Sequence, residues 1–389
     1  MTKYLAALLS STILLAIGGT ANAQDTTQPS NGFSAEINAA QNFSYDSNPL
    51  RVTTGEKSLY GSTTSPELRL RWKTPVSTIE SKSRVDANLY DRSEFNSVDF
   101  REDLLISREN ERWTASVRGL LNYETTRESD ITNYGVNLPR VHNTLVGAAP
   151  EIRFRSTPRD AWVLSAAAYQ STYDDNAYVD YNTFSISPSY EHKFDPQNIG
   201  SIALIAQRYE TTSGTSLTSD SYGPSLGWVS LLTPRLTLRL NAGALMTDQS
   251  GAAAAGDQNN WNYVFSSSIT YSGQQDVFDF TATRARQPFG NGTETLLDTF
   301  AVTERHAINP LIDVTAEAKY QQADYDAQPG INLDRSYTLG TGLSYKAWEQ
   351  VDLTANYKYR NEELTNVTDT VEQHVVMVGF TYHPSWSGK

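Results

Sequence analysis

Trp113-Thr114-Ala115-Ser116-Val117-Arg118-Gly119-Leu120-Leu121-Asn122-Tyr123 decides the fold. Its odd positions are apolar, whereas Thr114, Ser116, Arg118 and Asn122 fall on the opposite face. A period of two marks a strand with one apolar side. The same alternation runs through Trp261/Tyr263/Phe265/Ile269/Tyr271, Ile312/Val314/Ala316/Ala318/Tyr320, Tyr337/Leu339/Leu343/Tyr345 and Val351/Leu353/Ala355/Tyr357/Tyr359. Each run is about ten residues or longer, as a tilted strand needs to cross the hydrocarbon layer, whereas globular strands average roughly five or six. Segments 162–173, 199–209, 276–286 and 295–306 carry apolar residues in both phases, which leaves their registers open.

Working outward, short turns stand at Lys73–Val76, Arg108–Glu111, Thr157–Arg159, Phe194–Gln197, Leu232–Arg235, Ser272–Gln274, Ile308–Pro310 and Ala347–Glu349. Between them lie longer stretches rich in Gly, Asp, Asn, Ser and Thr: 46–58, 92–97, 127–138, 174–180, 211–220, 248–259, 288–294, 324–333 and 361–371. Such composition reads as loop. Short turns alternating with longer loops predict an all-β, antiparallel, up-and-down transmembrane barrel of about 18 strands (about 16 to 18), with both termini on the short-turn side. A spacing of this size also occurs in solenoids and propellers. The units here share no motif beyond proline at the short turn, and the strands are too long for propeller blades.

Aromatic residues sort by end. Trp72, Trp113, Trp162, Trp228, Trp348 and Trp386 fall near the short turns, while Tyr45, Tyr90, Tyr123, Tyr173, Tyr209, Tyr222 and Tyr320 fall toward the long loops. Two girdles, one at each membrane interface, account for this. The N-terminus has the form of a signal peptide over 1–23: Lys3 supplies positive charge, Tyr4 to Ile17 an apolar core, and Ala21-Asn22-Ala23 a small-x-small cleavage pattern. The barrel is then expected over 24–389, in the bacterial outer membrane and in contact with its lipid and lipopolysaccharide.

Composition agrees. No run approaches the roughly 18 apolar residues of a spanning helix, and the absence of cysteine removes both disulfides and thiolate metal sites. Hydrophobic content is 39% and mean hydropathy is −0.48, as expected where only alternate strand residues meet lipid. The formal charge of −13 bears on solubility and association, not on fold.

Parity also predicts the inner face. It places Arg69, Arg71, Arg84, Arg118, Arg153, Arg239, Lys319 and Lys358 inward, with fewer carboxylates, among them Asp86, Asp103, Glu151, Asp313 and Glu317. Two readings are open: an electropositive pore that lowers the barrier for anions, or a structural network in which these charges pair across strands. A barrel of about 18 strands leaves an aqueous channel unless something fills it. No connection exceeds about 13 residues, so none is expected to fold deeply inward.

Catalytic signatures are sparse. The histidines His142, His192, His306, His374 and His383 have no serine or aspartate at a characteristic spacing, and no GxSxG, HExxH or Walker sequence occurs. The acidic pairs Asp174/Asp175 and Asp324/Asp326 lie in loops, where carboxylates are ordinarily solvated. No cofactor, metal or nucleic-acid partner is expected. A hydrolase would need a site assembled from distant residues.

The segment Asn42-Phe43-Ser44-Tyr45-Asp46-Ser47-Asn48-Pro49-Leu50-Arg51 resembles the end of the first strand and the first loop in an outer-membrane β-barrel porin family, where Asp-x-Asn followed by an apolar residue and Arg is common. Members of that family are frequently encoded beside exopolysaccharide synthesis and export genes. The resemblance implies a role in passing or assisting an anionic polysaccharide, with export-complex proteins as partners. A barrel that anchors such a polymer or complex without conducting is the alternative. The C-terminus departs from the usual aromatic ending, since Phe380 and Tyr382 are followed by His383 to Lys389; Gly379-Phe380-Thr381-Tyr382 is the internal candidate for an assembly signal.

Overall fold

In a computed structural model, the described residues are 32–129, 140–251, 259–289, 292–324, 333–365 and 369–384. The expected signal peptide and Trp386 lie outside them. Eighteen strands follow in order: β1 Gly32–Asp46, β2 Leu59–Lys73, β3 Ser77–Tyr90, β4 Ser97–Glu109, β5 Trp113–Thr125, β6 His142–Arg155, β7 Asp160–Tyr173, β8 Tyr181–Lys193, β9 Asn198–Thr211, β10 Thr218–Thr233, β11 Leu236–Ser250, β12 Asn259–Ser272, β13 Asp276–Phe289, β14 Thr293–Asn309, β15 Ile312–Asp324, β16 Leu333–Trp348, β17 Val351–Leu364 and β18 Val371–Tyr382. A 3-10 turn at Ser93–Phe95 and a one-turn helix α1 at Thr126–Ser129 interrupt the loops.

Each strand pairs antiparallel with the next, and β18 returns to β1 from Ala39↔Tyr382 to Asp46↔Val375. The sheet is a closed barrel. Closure matters because hydrocarbon offers no hydrogen-bond partner to an open sheet edge.

The strands alternate as their sequences predict. Val117, Leu121, Leu339, Leu343 and Val378 point outward and are exposed. In water, apolar surface on this scale would far exceed the few hundred Å² tolerated by a monomer. It is the lipid-facing surface of a transmembrane barrel. The phases left open by sequence are also fixed: Trp162, Leu164, Ile202, Leu204, Phe278 and Phe300 face out.

Proline in the short turns has a shared physical role. In Thr74-Pro75, Thr157-Pro158, Asp195-Pro196 and Asn309-Pro310, the residue before proline accepts backbone N–H groups two and three positions on. Proline presets the turn and has no N–H to leave unpaired, while the side-chain oxygen takes the next two donors. The side chain of Asn198 and then the Gln197 N–H hold the Asp195 carboxyl below the ordinary aspartate range, so this turn stays charged through mildly acidic conditions.

Val117 and Ser116 test the assignment of faces. Val117 is 41% exposed on the outer wall, whereas Ser116 faces in, level with Glu151 of β6. Val117→Arg is expected to cost roughly 2–4 kcal/mol if it lies near the bilayer midplane, and Ser116→Arg much less. The fraction of protein that migrates as the compact form on unboiled gels reads the difference; equal loss in both variants contradicts the phase.

Candidate functional site

The inner face is the candidate site, and its charges are substantially paired. Arg69 lies 3.9 Å from Glu36, 4.0 Å from Glu67 and 3.9 Å from Glu80. Lys82 reaches Glu67 at 3.3 Å. Asp86 receives Arg84 at 2.7 Å and Arg101 at 3.3 Å, and Arg101 continues to Glu124 at 2.8 Å. Arg153 forms a two-pronged pair with Glu191. Ser165 donates to Glu151 at 3.3 Å, and Arg305 pairs with Asp313 at 2.8 Å.

The predicted excess of inward cations therefore needs correction. Glu36, Glu67, Glu80, Glu109 and Glu362 share the inner face by the same registers and offset much of the positive charge. Arg71 stands level with Glu80 and Ser34. Asp103 stands level with Lys82, and Glu317 with Gly340. Among the described residues, Arg118, Arg239, Lys319 and Lys358 make no ion pair. Lys319 and Lys358 stand on either side of β16 near Glu317, whereas Arg118 on β5, near Asp103, and Arg239 on β11 lie on other sectors of the wall.

The first loop closes over one sector of the long-loop mouth. Asp46, at the end of β1, accepts the Asn48 N–H at 3.0 Å, Gln373 Nε2 at 3.0 Å and Arg127 Nη2 of α1 at 3.2 Å. Asn48 is fully buried. Its amide donates to the carbonyls of Val52 at 2.8 Å and Glu372 at 3.1 Å, while its oxygen accepts the Val52 N–H. Arg51 adopts a left-handed φ of 49° and drives its guanidinium inward, where Nη1 donates to Glu362 at 3.0 Å. Asp, Asn and Arg at this spacing thus form a loop clamp: one anchors the strand end, one replaces the missing turn bonds, and one pins the loop to β17, the next strand but one along the wall.

Neighbouring loops interlock with it. The Arg127 guanidinium lies over the Tyr90 ring at 4.8 Å, and Arg140 donates to the carbonyls of Glu94 and Asn96. Tyr173, Tyr178, Tyr181, Tyr209 and Leu217 form an apolar cluster on another sector. Sequence assigns Arg51 and Glu362 to polar loops, whereas both are buried; the alternation Lys358, Arg360, Glu362 continuing past the predicted strand end is the signal for the second.

A larger departure lies between β12 and β13. Their ladder runs from Ser272↔Val277 only to Phe265↔Arg284. Beyond it, β13 and β14 stay paired to Phe289↔Thr293, but this hairpin leaves β12 and bends inside the barrel. Leu296 packs with Ile205, Leu245 and Val264 of the inner wall. Ser219 of β10 donates to Glu294 at 2.7 Å, and Arg286 pairs with Glu294 at 3.4 Å. Gly292, at φ +83°, lies against Val179 of the β7–β8 loop, where a Cβ would come within 3.0 Å. The expectation that nothing folds inward is overturned. Loop length is the wrong criterion here, because the obstruction is made by strand ends that carry their own hydrogen bonds with them.

His192 and His306 contact Asp160 at 2.7 Å and Asp276 at 2.6 Å. No hydroxyl nucleophile is hydrogen-bonded to either histidine among the described residues. No group of three or more His, Cys, Asp or Glu side chains there could hold a metal ion.

The class defined by these features is an 18-stranded transmembrane β-barrel with a charged interior and a narrowed long-loop mouth. No family model and no curated protein matches the chain. Among solved structures, it is similar to the outer membrane protein OpdK from Pseudomonas aeruginosa, with a TM-score of 0.48 and 11% identity over 91% of this chain and 99% of that one. It is also similar to OccAB4 from Acinetobacter baumannii, with a TM-score of 0.47 and 10% identity over 92% and 100% of the two chains. The likeness is one of general barrel form.

Removing Glu362 tests the loop clamp. Glu362→Ala removes the buried carboxylate that Arg51 and Arg360 share, and breaking a buried pair costs about 3–5 kcal/mol. Limited proteolysis of the intact barrel is expected to cut within 52–58 many times faster in the variant. An unchanged cutting rate contradicts the clamp.

Proposed function

We propose that the protein is an outer-membrane channel for small anionic solutes, constricted at its long-loop end. The observation that carries this reading is a closed barrel wide enough for an aqueous lumen, whose inner wall keeps Arg118, Arg239, Lys319 and Lys358 out of ion pairs. Unpaired cations facing a low-dielectric-walled passage raise the local anion concentration and lower the barrier to passage. Arg69, Arg84 and Arg153, held by carboxylates, contribute less field and more rigidity.

The second reading is a non-conducting barrel that docks a surface polymer or an export complex. It is favoured by the clamped first loop and the tucked β13–β14 hairpin, both of which narrow the long-loop mouth. Assistance to exopolysaccharide export rests on the resemblance around Asp46–Arg51, and a narrowed mouth suits small solutes better than a polymer in transit. An outer-membrane hydrolase has the least support, because among the described residues no hydroxyl is hydrogen-bonded to the imidazole of His192 or His306.

Planar-bilayer recording separates the first two readings. Discrete conductance that favours chloride at low salt is expected, and the preference should weaken as the screening length shortens to about 10 Å at 0.1 M. Arg118→Gln with Arg239→Gln should move the reversal potential toward cations while the barrel remains heat-modifiable, since glutamine retains hydrogen bonding without charge. Stable insertion with no conductance favours the docking reading instead.

A further inference from the structure

We propose that the divergence of β12 and β13 is a lateral port between the lumen and the outer leaflet, through which a single-chain amphiphile reaches an apolar seat now occupied by Leu296. Such a port does not depend on whether the barrel conducts ions.

The wall opens at a particular height. The last rung, Phe265↔Arg284, lies just below Tyr263 and Trp261, which point outward and are 62% and 67% exposed. Exposed aromatic residues near a strand end mark the membrane interface, so the strands part where lipid head groups meet acyl chains. A backbone edge at that depth is costly unless it is covered. Arg284 covers part of it: its guanidinium stacks 4.5 Å over the Tyr263 ring and pairs with Asp298 at 2.6 Å and Asp324 at 3.1 Å. Of these contacts only the Tyr263 stacking crosses from β13 to β12, because Asp298 and Asp324 lie on β14 and β15. The β12–β13 and β1–β18 ladders are the two shortest in the sheet, but β1–β18 leaves unpaired the short-turn end of β1, Gly32–Asn38, whereas β12–β13 parts at its long-loop end.

Inside the gap lies the seat. Ile205, Leu245 and Val264 project from the inner wall and surround Leu296, and all four are nearly inaccessible to solvent. Gly243 lies beside Val264, so the wall there carries little bulk. Apart from the tyrosine-rich cluster and scattered residues such as Leu145 and Val163, the inner wall is rich in Ser, Thr, Asn and charge, so this aliphatic patch calls for an apolar occupant. Leu296 arrives there only because the hairpin leaves the wall. The hairpin is therefore a plug whose apolar side chain holds the place of an acyl chain, and Ser219–Glu294 is among the polar contacts that tether it. Swung outward, β13 would extend its β12 register to Val264↔Ala285 and Tyr263↔Arg286 and seal the wall.

The chain contains no cysteine, so engineered thiols report cleanly. The full chain would be placed in lipid nanodiscs with a diazirine-bearing palmitate, irradiated, and its labelled peptides identified by mass spectrometry. Wild type is expected to carry label at Leu245 and Val264 as well as on the outer wall, and Leu296→Ala to raise the inner labelling several-fold by emptying the seat. In Tyr263→Cys with Arg286→Cys, oxidation should cross-link β12 to β13 and remove inner labelling, while reduction restores it and outer labelling at Leu339 and Leu343 stays constant. Label confined to the outer wall in both wild type and Leu296→Ala overturns the proposal. So does inner labelling that is the same in the oxidised and reduced double variant, or a heat-modifiable double variant that does not cross-link. Bilayer conductance, recorded on the same variants, tests the channel reading separately.

Discussion

The structure depends on one constraint: within the bilayer, every backbone N–H and C=O must find a partner in the protein itself. Antiparallel pairing of each strand with its successor satisfies all but the first and last strands, and the β1–β18 ladder satisfies those. Once the ring is closed, the alternation of side chains divides the molecule into an apolar exterior and a polar interior with no further instruction. The same constraint makes the β12–β13 divergence the most consequential irregularity in the wall. At its long-loop end this seam is left open, and the strand that left has taken its ladder with β14 inward.

The constraint also explains why the fold was legible in sequence while much of the interior was not. Period-two alternation is local, so Trp113–Tyr123 reveals its faces without knowledge of any neighbour. Prolines at Pro75, Pro158, Pro196, Pro234 and Pro310 mark the turns because a turn residue before proline can take the following N–H groups through its own side chain. Charge pairing is different. Whether Arg69 is free or held depends on Glu36 and Glu80 from two adjacent strands, and the inward parity of Glu67 does not by itself disclose that it also binds Lys82. Parity finds the face; only register finds the partner.

Loops show the limit of composition. Residues 46–58 read as an exposed polar connection, yet Asn48 and Arg51 are buried because polar side chains can be the ones that fold a loop inward when backbone acceptors and a buried carboxylate are waiting for them. Asn48 satisfies strand-end groups that water would otherwise serve, and Arg51 crosses to Glu362. The Asp-x-Asn-x-x-Arg spacing thus encodes the shape of a barrel mouth, not a catalytic or metal-binding constellation.

The two narrowing elements differ in how firmly they are held. The first loop is fixed by charged and amide contacts to β17, β18 and α1, buried or partly buried and converging on Asp46, Asn48 and Arg51, so loosening one exposes the next. The contacts of the β13–β14 end include the Ser219–Glu294 hydrogen bond to β10, the Arg286–Glu294 pair within the hairpin itself, and the burial of Leu296 and Leu297, each leucine worth roughly 1.5–3 kcal/mol. The hairpin can regain backbone bonds by returning to β12, where Val264 and Tyr263 stand level with Ala285 and Arg286 if the register is extended. A barrel that fixes one sector of its mouth and leaves another with two available pairings has placed its freedom at a single seam, at the height where the aromatic girdle meets the outer leaflet. A motion at β12–β13 is the cheap one to make at the long-loop end, because β13 is already unpaired from β12 there and keeps its ladder with β14 throughout.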